Sequence, residues 1–251
     1  MKTKEIFVFY NGVIVYPFAF VLSIWIVYWL EIQFGVSWSH WGILPRTFEG
    51  LPGIFLAPFI HGSLEHLFNN SIPLLLLSAA LFYFYRRVSW NVLLVGYIAT
   101  GILTWIIGRE SYHIGASGII YMLTSFIFFK GIITRYYRLI ALSLIIVFLY
   151  GGMMWYLFPI EEGISWEGHL SGFLVGMILA FNIKTPELKR VVYAWESPDF
   201  NENEDPFIKQ FDENGNFISE SEIRQQELEN DSEIVNQAPK LNYTYVPERK
   251  E

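Results

Sequence analysis

Apolar residues along the chain are gathered into six long runs that are separated by shorter polar stretches. A transmembrane helix needs about 20 mostly apolar residues, and each run meets or nearly meets that length. The predicted spans cover residues 8–34, 66–85, 89–107, 115–133, 137–158 and 167–183. The pattern therefore predicts an all-α membrane protein with a bundle of six transmembrane helices.

Two stretches lie outside the predicted spans. Residues 35–65 form a long first loop rich in Gly, Pro and aromatic residues, which is typical of a segment lying in the membrane interface. From about residue 185 the chain is polar, acidic and interrupted by prolines, which predicts a mostly disordered tail with a weak helical pattern over 219–236. We therefore expect a transmembrane domain over 1–184 and an acidic tail over 185–251.

Composition supports lipid as the solvent of the first domain. Only 16% of the residues are charged and mean hydropathy is +0.34, whereas about 25% of residues are charged in soluble proteins. The chain has no cysteine, which excludes disulfides, thiolate metal sites and a thiol nucleophile. The tail from Val191 onward carries 15 acidic and 5 basic side chains, and no basic cluster suggests a nucleic-acid partner. We expect no metal or other cofactor.

Basic residues predict the orientation of the spans. With the N-terminus inside, ten basic residues fall in inside loops or at the inner ends of spans and two in outside loops, as the positive-inside rule requires. The inside residues are Lys2, Lys4, Arg86, Arg87, Lys130, Arg135, Arg138, Lys184, Lys189 and Arg190, and the outside residues are Arg46 and Arg109. We expect both termini in the cytoplasm, and the first span to be retained because it lacks a signal-peptide cleavage site. The absence of cysteine and of a transit-like N-terminus fits a bacterial inner membrane.

Strongly polar side chains inside the spans are candidates for function, because burying them in lipid is costly. His66 and Asn70 lie in the second span, Ser117 lies at the start of the fourth and His169 at the start of the sixth. In the predicted topology all of them lie at the outward ends of their helices. We therefore expect them to meet at one depth.

Ser117 and His169 together indicate nucleophilic catalysis, since a serine becomes a nucleophile when a neighbouring histidine takes its proton. No Asp or Glu lies in the apolar part of a span to orient the histidine, so the sequence predicts a dyad and not a triad. Taken singly, each residue has another interpretation. Serine is a common helix N-cap, and a membrane histidine is often a proton relay or a packing residue.

Three further side chains fit around such a dyad. His66 and Asn70 are four residues apart and share one helix face, and both carry N–H groups that can donate to an oxyanion. The backbone N–H of Ser117 is a third such donor, because it lies at a helix start and has no partner within the helix. Interhelical hydrogen bonding is the alternative for His66 and Asn70. Tyr121 shares the face of Ser117 and is placed to pack against the ring of His169, or simply to fill the bundle.

Glycines favour close approach of the fourth and sixth spans. Gly168, Gly172 and Gly176 recur every four residues, and Gly118 follows Ser117 directly. A stripe of small residues lets a second helix backbone come near, which is also what simple helix packing needs.

Three motifs in order resemble the rhomboid intramembrane serine proteases. They are "HGSLEHLFNN" with His61, His66 and Asn70, "GASG" beginning at Gly115, and "GHLSGFLVG" with His169. The order, the spacing and the six spans match across residues 8–184. The Trp-Arg pair that the family often carries in the first loop has no counterpart in "LPGIF".

The resemblance implies a serine endopeptidase that cleaves transmembrane segments of other membrane proteins near their outer end. It implies that Ser117 attacks, that His169 is the base and that Tyr121 stacks on it. It also implies that His66, Asn70 and the Ser117 amide bind the oxyanion, and that His61 organises the first loop. A water-accessible cavity would open to the outside.

Two other functions remain open. The first is an inactive relative that binds membrane proteins as a scaffold or quality-control factor; such relatives typically lose the serine or the histidine, and both are present here. The second is a channel or transporter, against which stand the lack of a visible inverted repeat and of acidic relays through the spans. The oligomeric state is not predicted.

Overall fold

A computed structural model of the chain describes residues 7–161, 163–185, 193–201, 204–212, 214–222, 224–225 and 228. The chain divides into two compact units, Met1–Lys189 and Arg190–Glu251, and each is described by itself. Within the described residues every regular element is helical, and β-pairing is limited to isolated bridges. An all-helical fold is therefore confirmed.

The described part of the first unit contains seven α-helices. They are α1 (Gly12–Phe34), α2 (Gly53–Leu56), α3 (Leu64–Phe84), α4 (Ser89–Ile107), α5 (Ser117–Thr134), α6 (Tyr137–Tyr150) and α7 (Trp166–Asn182). A 3₁₀ segment, Gly151–Leu157, continues α6. Among the described residues, five stretches are long and apolar enough to cross a membrane: α1, α3, α4, α5, and α6 with its 3₁₀ continuation. The sixth predicted span corresponds to α7, which has 17 residues.

Serine N-caps determine where α3 and α7 begin. The Ser63 hydroxyl accepts the backbone N–H of His66 at 3.1 Å, and the Ser165 hydroxyl accepts that of Gly168 at 3.3 Å. A serine oxygen at this position satisfies a helix N–H that has no partner inside the helix. As a consequence, His66 and His169 both lie in the first turn of their helices.

Helix α5 is the centre of the bundle. Of the residues of α5, 56% are buried inside the protein, whereas the value is 17% for the most apolar 18 residues of α1. Helix α7 approaches it closely: a Cβ added at Gly172 would overlap the carbonyl oxygen of Gly118, and one at Gly176 would overlap that of Met122. Only glycine permits this backbone contact, which brings the starts of α5 and α7 together.

The first loop is tied to the end of α4. Arg46 donates from its guanidinium to the carbonyl oxygen of Gly108 at 2.6 Å, and the Trp105 indole donates to the carbonyl oxygen of Thr47 at 2.9 Å. A backbone bridge joins Ile43 to His113, just before α5. Arg46 thus anchors the loop although the Trp-Arg pair is missing. The location of the loop in the membrane interface stays a prediction.

The described residues of the second unit have local structure. Short 3₁₀ helices cover Ala194–Glu196 and Ile208–Gln210, and the Asp212 carboxylate accepts backbone N–H groups in a turn. Of the predicted helix over 219–236, residues 220–222, 224–225 and 228 are helical, and most of the others lie outside the described residues. Lys2, Lys4, Lys189 and Arg190, which were counted for the topology, lie outside them too.

Candidate active site

Ser117 and His169 are joined by a hydrogen bond across α5 and α7. The distance from Ser117 Oγ to His169 Nε2 is 2.9 Å. Ala116, not Ser117, occupies the N-cap position of α5, and no side chain caps that helix end. The Ser117 hydroxyl is therefore engaged with the histidine instead of acting as an N-cap.

A backbone carbonyl orients the ring of His169. Its Nδ1 lies 2.9 Å from the carbonyl oxygen of Tyr156, in the 3₁₀ segment after α6. A carbonyl oxygen can only accept, so Nδ1 carries the proton and Nε2 presents its lone pair to the hydroxyl of Ser117. This is the tautomer that a general base needs.

Tyr121 stacks on a face of the His169 ring. The centroids of the Tyr121 and His169 rings are 4.2 Å apart and the planes differ by 12°. The Tyr121 hydroxyl donates to the carbonyl oxygen of Met153 at 2.6 Å. Two carbonyls of the segment Gly151–Leu157 thus hold the histidine and its stacking partner.

His66 and Asn70 lie beside the residues that lead into Ser117. A Cβ added at Gly115 would be 2.7 Å from two atoms of the His66 ring and 3.5 Å from Nδ2 of Asn70. Gly115 also has φ +102°, a conformation that favours glycine. The Nδ2 atom of Asn70 is buried and has no hydrogen-bond partner among the described residues. A polar donor that is left free in this position suits an anionic group.

His61 supports His66 from the first loop. The two rings are 5.0 Å apart and meet edge to face, and Nδ1 of His61 lies 3.3 Å from the carbonyl oxygen of Phe59. Burial, followed by the nearby His66, lowers the pKa of His61 to about 4. His61 is therefore neutral at neutral pH and donates from Nδ1 to that carbonyl.

The polar side chains open into a cavity of about 1150 Å³. Its lining includes Ser117, His169, His66, Asn70, Tyr121 and Tyr156. In the described part of the chain, no cluster of three or more His, Cys, Asp or Glu side chains is arranged to hold a metal ion.

The structure adds a cluster that the sequence-based prediction missed. His113 is buried and lies 2.6 Å through Nδ1 from the hydroxyl of Ser165. Glu167 is also buried and accepts the backbone N–H of Arg109 at 3.2 Å. The signal was present in the sequence, since His113 directly precedes "IGASG" and Ser165 directly precedes "WEGH".

Comparisons with known proteins agree with the motifs. A Rhomboid domain is matched over residues 49–185. An uncharacterized protein of Mycobacterium bovis is 33% identical over 184 residues, which are 68% of this chain and 75% of that protein, and an uncharacterized protein of Mycobacterium tuberculosis gives the same values. An uncharacterized protein of Mycobacterium leprae is 33% identical over 162 residues, 59% of this chain and 62% of its own length. The resemblance is confirmed: the chain belongs to the rhomboid family of intramembrane serine proteases.

Proposed function

We propose that this chain is an intramembrane serine endopeptidase that cleaves transmembrane segments of other membrane proteins near their outer end. The observation that carries the proposal is the 2.9 Å contact between Ser117 Oγ and His169 Nε2, with Nδ1 of the histidine held by the Tyr156 carbonyl. A serine beside a correctly oriented neutral histidine is the minimal nucleophile of acyl transfer.

Ser117 and His169 carry the proton transfers of both half-reactions. As Ser117 Oγ forms a bond to the carbonyl carbon of the substrate, its proton passes to His169 Nε2. The tetrahedral intermediate then breaks its C–N bond, and His169 returns the proton to the leaving amine. A water molecule, deprotonated by the same nitrogen, hydrolyses the acyl-enzyme and restores Ser117.

Three donors surround the position of the oxyanion. His66 and Asn70 project from the first two turns of α3 next to Gly115, and the backbone N–H of Ser117 lies at the start of α5, where no earlier turn offers it a carbonyl. The free Nδ2 of Asn70 is available without breaking an existing bond among the described residues. Donors that are already in place stabilise the developing charge without reorganisation.

The membrane topology of the proposal has six crossings with both termini in the cytoplasm of a bacterial cell. Helix α7, with 17 residues, is at the short end of the range that spans a bilayer. The site then lies at the outer side, because α3, α5 and α7 all begin there. Residues 1–184 form the protease domain and 185–251 the cytoplasmic tail.

The substrate must unwind locally before it is cut. The peptide bonds of a transmembrane helix are shielded by hydrogen bonds within the helix, because lipid offers no other partner. The cavity beside Ser117 is large enough to admit water, and its polar side chains offer alternative hydrogen-bond partners. Substrates with residues that weaken a helix near the outer end are therefore favoured.

Cleavage of a reporter in liposomes tests the proposal. The reporter is a single-span protein with a Gly/Ala-rich outer segment, and the enzymes are the native chain, Ser117→Ala and the control Ser37→Ala in the exposed first loop. We expect the native chain and the control to cut, and Ser117→Ala to be inactive with its stability changed by about 1 kcal/mol. Cleavage by Ser117→Ala contradicts the mechanism, and a folded native chain that neither cuts nor reacts with a fluorophosphonate indicates the non-catalytic binder.

A further inference from the structure

His113 is a buried histidine, 4% exposed, in the loop between α4 and α5. Both of its ring nitrogens are in hydrogen-bond contact: Nε2 is 3.1 Å from the carbonyl oxygen of Arg109, and Nδ1 is 2.6 Å from Oγ of Ser165. The reaction proposed above makes no use of this ring. A buried, fully bonded histidine next to a catalytic site needs a separate explanation.

The partners of His113 fix the direction of each hydrogen bond. Because the Arg109 carbonyl can only accept, Nε2 donates, and Nδ1 is left to accept the hydroxyl proton of Ser165. Ser165 Oγ at the same time accepts the N–H of Gly168 as the N-cap of α7. Burial lowers the pKa of His113, and the charged groups acting on it are Glu167 on α7 and Arg109 on its own loop. The neutral ring in this tautomer is therefore the form at neutral pH.

The loop that carries His113 is itself held in place. The backbone of His113 exchanges two hydrogen bonds with Ile43 of the first loop, at 2.9 and 3.0 Å. Two residues later, the N–H of Gly115 donates to the carbonyl oxygen of Ala57 at 2.9 Å. His113 is thus a fixed point from which a neighbouring helix can be positioned.

The contact between His113 and Ser165 joins the same two chain segments as the contact between Ser117 and His169, earlier in each. Ser117 follows His113 by four residues, and His169 follows Ser165 by four residues. The backbone N–H of His169 donates to the carbonyl oxygen of Ser165 at 3.2 Å, so the two move together. The same two chain segments therefore meet twice, at 2.6 Å and, four residues later on both, at 2.9 Å.

We propose, on the basis of the function proposed above, that His113 is a positioning residue that sets the distance between His169 and Ser117 by hydrogen bonding to Ser165. The bond fixes the first turn of α7 against the loop that leads into the nucleophile. Glu167 acts in the same direction, because its carboxylate accepts the Arg109 N–H at 3.2 Å and lies 3.8 Å from the Arg109 guanidinium.

Two substitutions at His113 separate its two hydrogen bonds. His113→Asn places an amide oxygen near the position of Nδ1 and can still accept from Ser165. His113→Gln reaches the position of Nε2 and can still donate to the carbonyl of Arg109. With the reporter in liposomes, we expect His113→Asn to keep kcat within a few-fold of native and His113→Gln to lower it roughly 10- to 100-fold, with KM unchanged in both.

Ser165→Ala removes the other partner of the same bond and serves where the histidine variants fail to fold. We expect it to lower kcat to a similar extent without raising KM, and the double variant with His113→Gln to be no slower than the slower single variant. Native kcat in folded His113→Gln or in Ser165→Ala overturns the positioning role alone. A native chain that neither cleaves the reporter nor reacts with a fluorophosphonate overturns the proposed function, and the positioning role with it.

Discussion

Replacing Gly172 by alanine tests whether the close contact between α5 and α7 sets the geometry of the dyad. The added Cβ would overlap the carbonyl oxygen of Gly118, and would lie 2.9 Å from its carbonyl carbon and 3.1 Å from the backbone nitrogen of Met122. All of these atoms belong to the backbone of α5. No flexible side chain can move aside, so the two helices must separate.

The separation required is about 1 Å, and a misplacement of that size costs roughly 100-fold in rate where reacting groups are held in contact. Overpacking of this kind also destabilises a fold by about 1–3 kcal/mol. We therefore expect Gly172→Ala to lower kcat for the reporter roughly 100-fold and to lower the temperature of unfolding. Ser117 and His169 lie at the starts of the two helices, so their 2.9 Å hydrogen bond lengthens with the separation.

Gly152→Ala is the matched control, because a Cβ at that position meets nothing within 4 Å. Cleavage of the reporter is measured in liposomes, and unfolding is followed in detergent by circular dichroism for all three proteins. Activity and stability of Gly172→Ala equal to those of Gly152→Ala would refute the argument that backbone contact between the helices sets the dyad distance.

Three further predictions concern side chains around the dyad. Asn70→Ala should lower kcat roughly 100-fold with little change in KM, since one oxyanion donor is lost; an unchanged kcat contradicts that role. Tyr121→Phe keeps the ring stacked on His169 and should retain more activity than Tyr121→Ala; equal rates contradict a role for stacking. Burial lowers the pKa of His61 to about 4 in the folded protein, so the unfolded protein binds more protons below about pH 6.5. The contribution of neutral His61 to stability is therefore fully present above that pH, and the free energy of unfolding falls by up to about 3 kcal/mol as the pH is lowered toward 4. His61→Gln should reduce this slope in equilibrium unfolding, and an unchanged slope in the folded variant contradicts the assignment.

The helical fold was predictable because the membrane restricts a chain to few structures. Continuous apolar runs of about 20 residues indicate membrane helices, because the strands of a membrane barrel are about half as long and alternate in polarity. The predicted ends of the runs lie within a few residues of the observed helix ends. The exception is the fifth span, where the pair Gly151–Gly152 ends the α-helix and a 3₁₀ segment completes the length. A continuous apolar run does not reveal such a change, because hydrophobicity reports burial in lipid and not the pitch of the helix.

The contact between Ser117 and His169 was predictable, because polar groups in a span must meet a partner. The group that orients the His169 ring was not predictable, since it is the backbone carbonyl of Tyr156, and every residue carries a carbonyl. His113 was overlooked for a different reason: it lies in a loop, where a polar residue is ordinary. Only the fold shows that this loop position is buried against Ser165.

Reaction with a fluorophosphonate tests most directly whether His169 activates Ser117. The native chain, Ser117→Ala and His169→Ala are reconstituted in liposomes, treated with the reagent, and digested so that the labelled peptide is identified by mass spectrometry. We expect a label on Ser117 in the native chain, none at that position in Ser117→Ala, and labelling slowed by at least roughly 100-fold in folded His169→Ala. Equal labelling rates in the native chain and in His169→Ala, or a label on another residue, would contradict it.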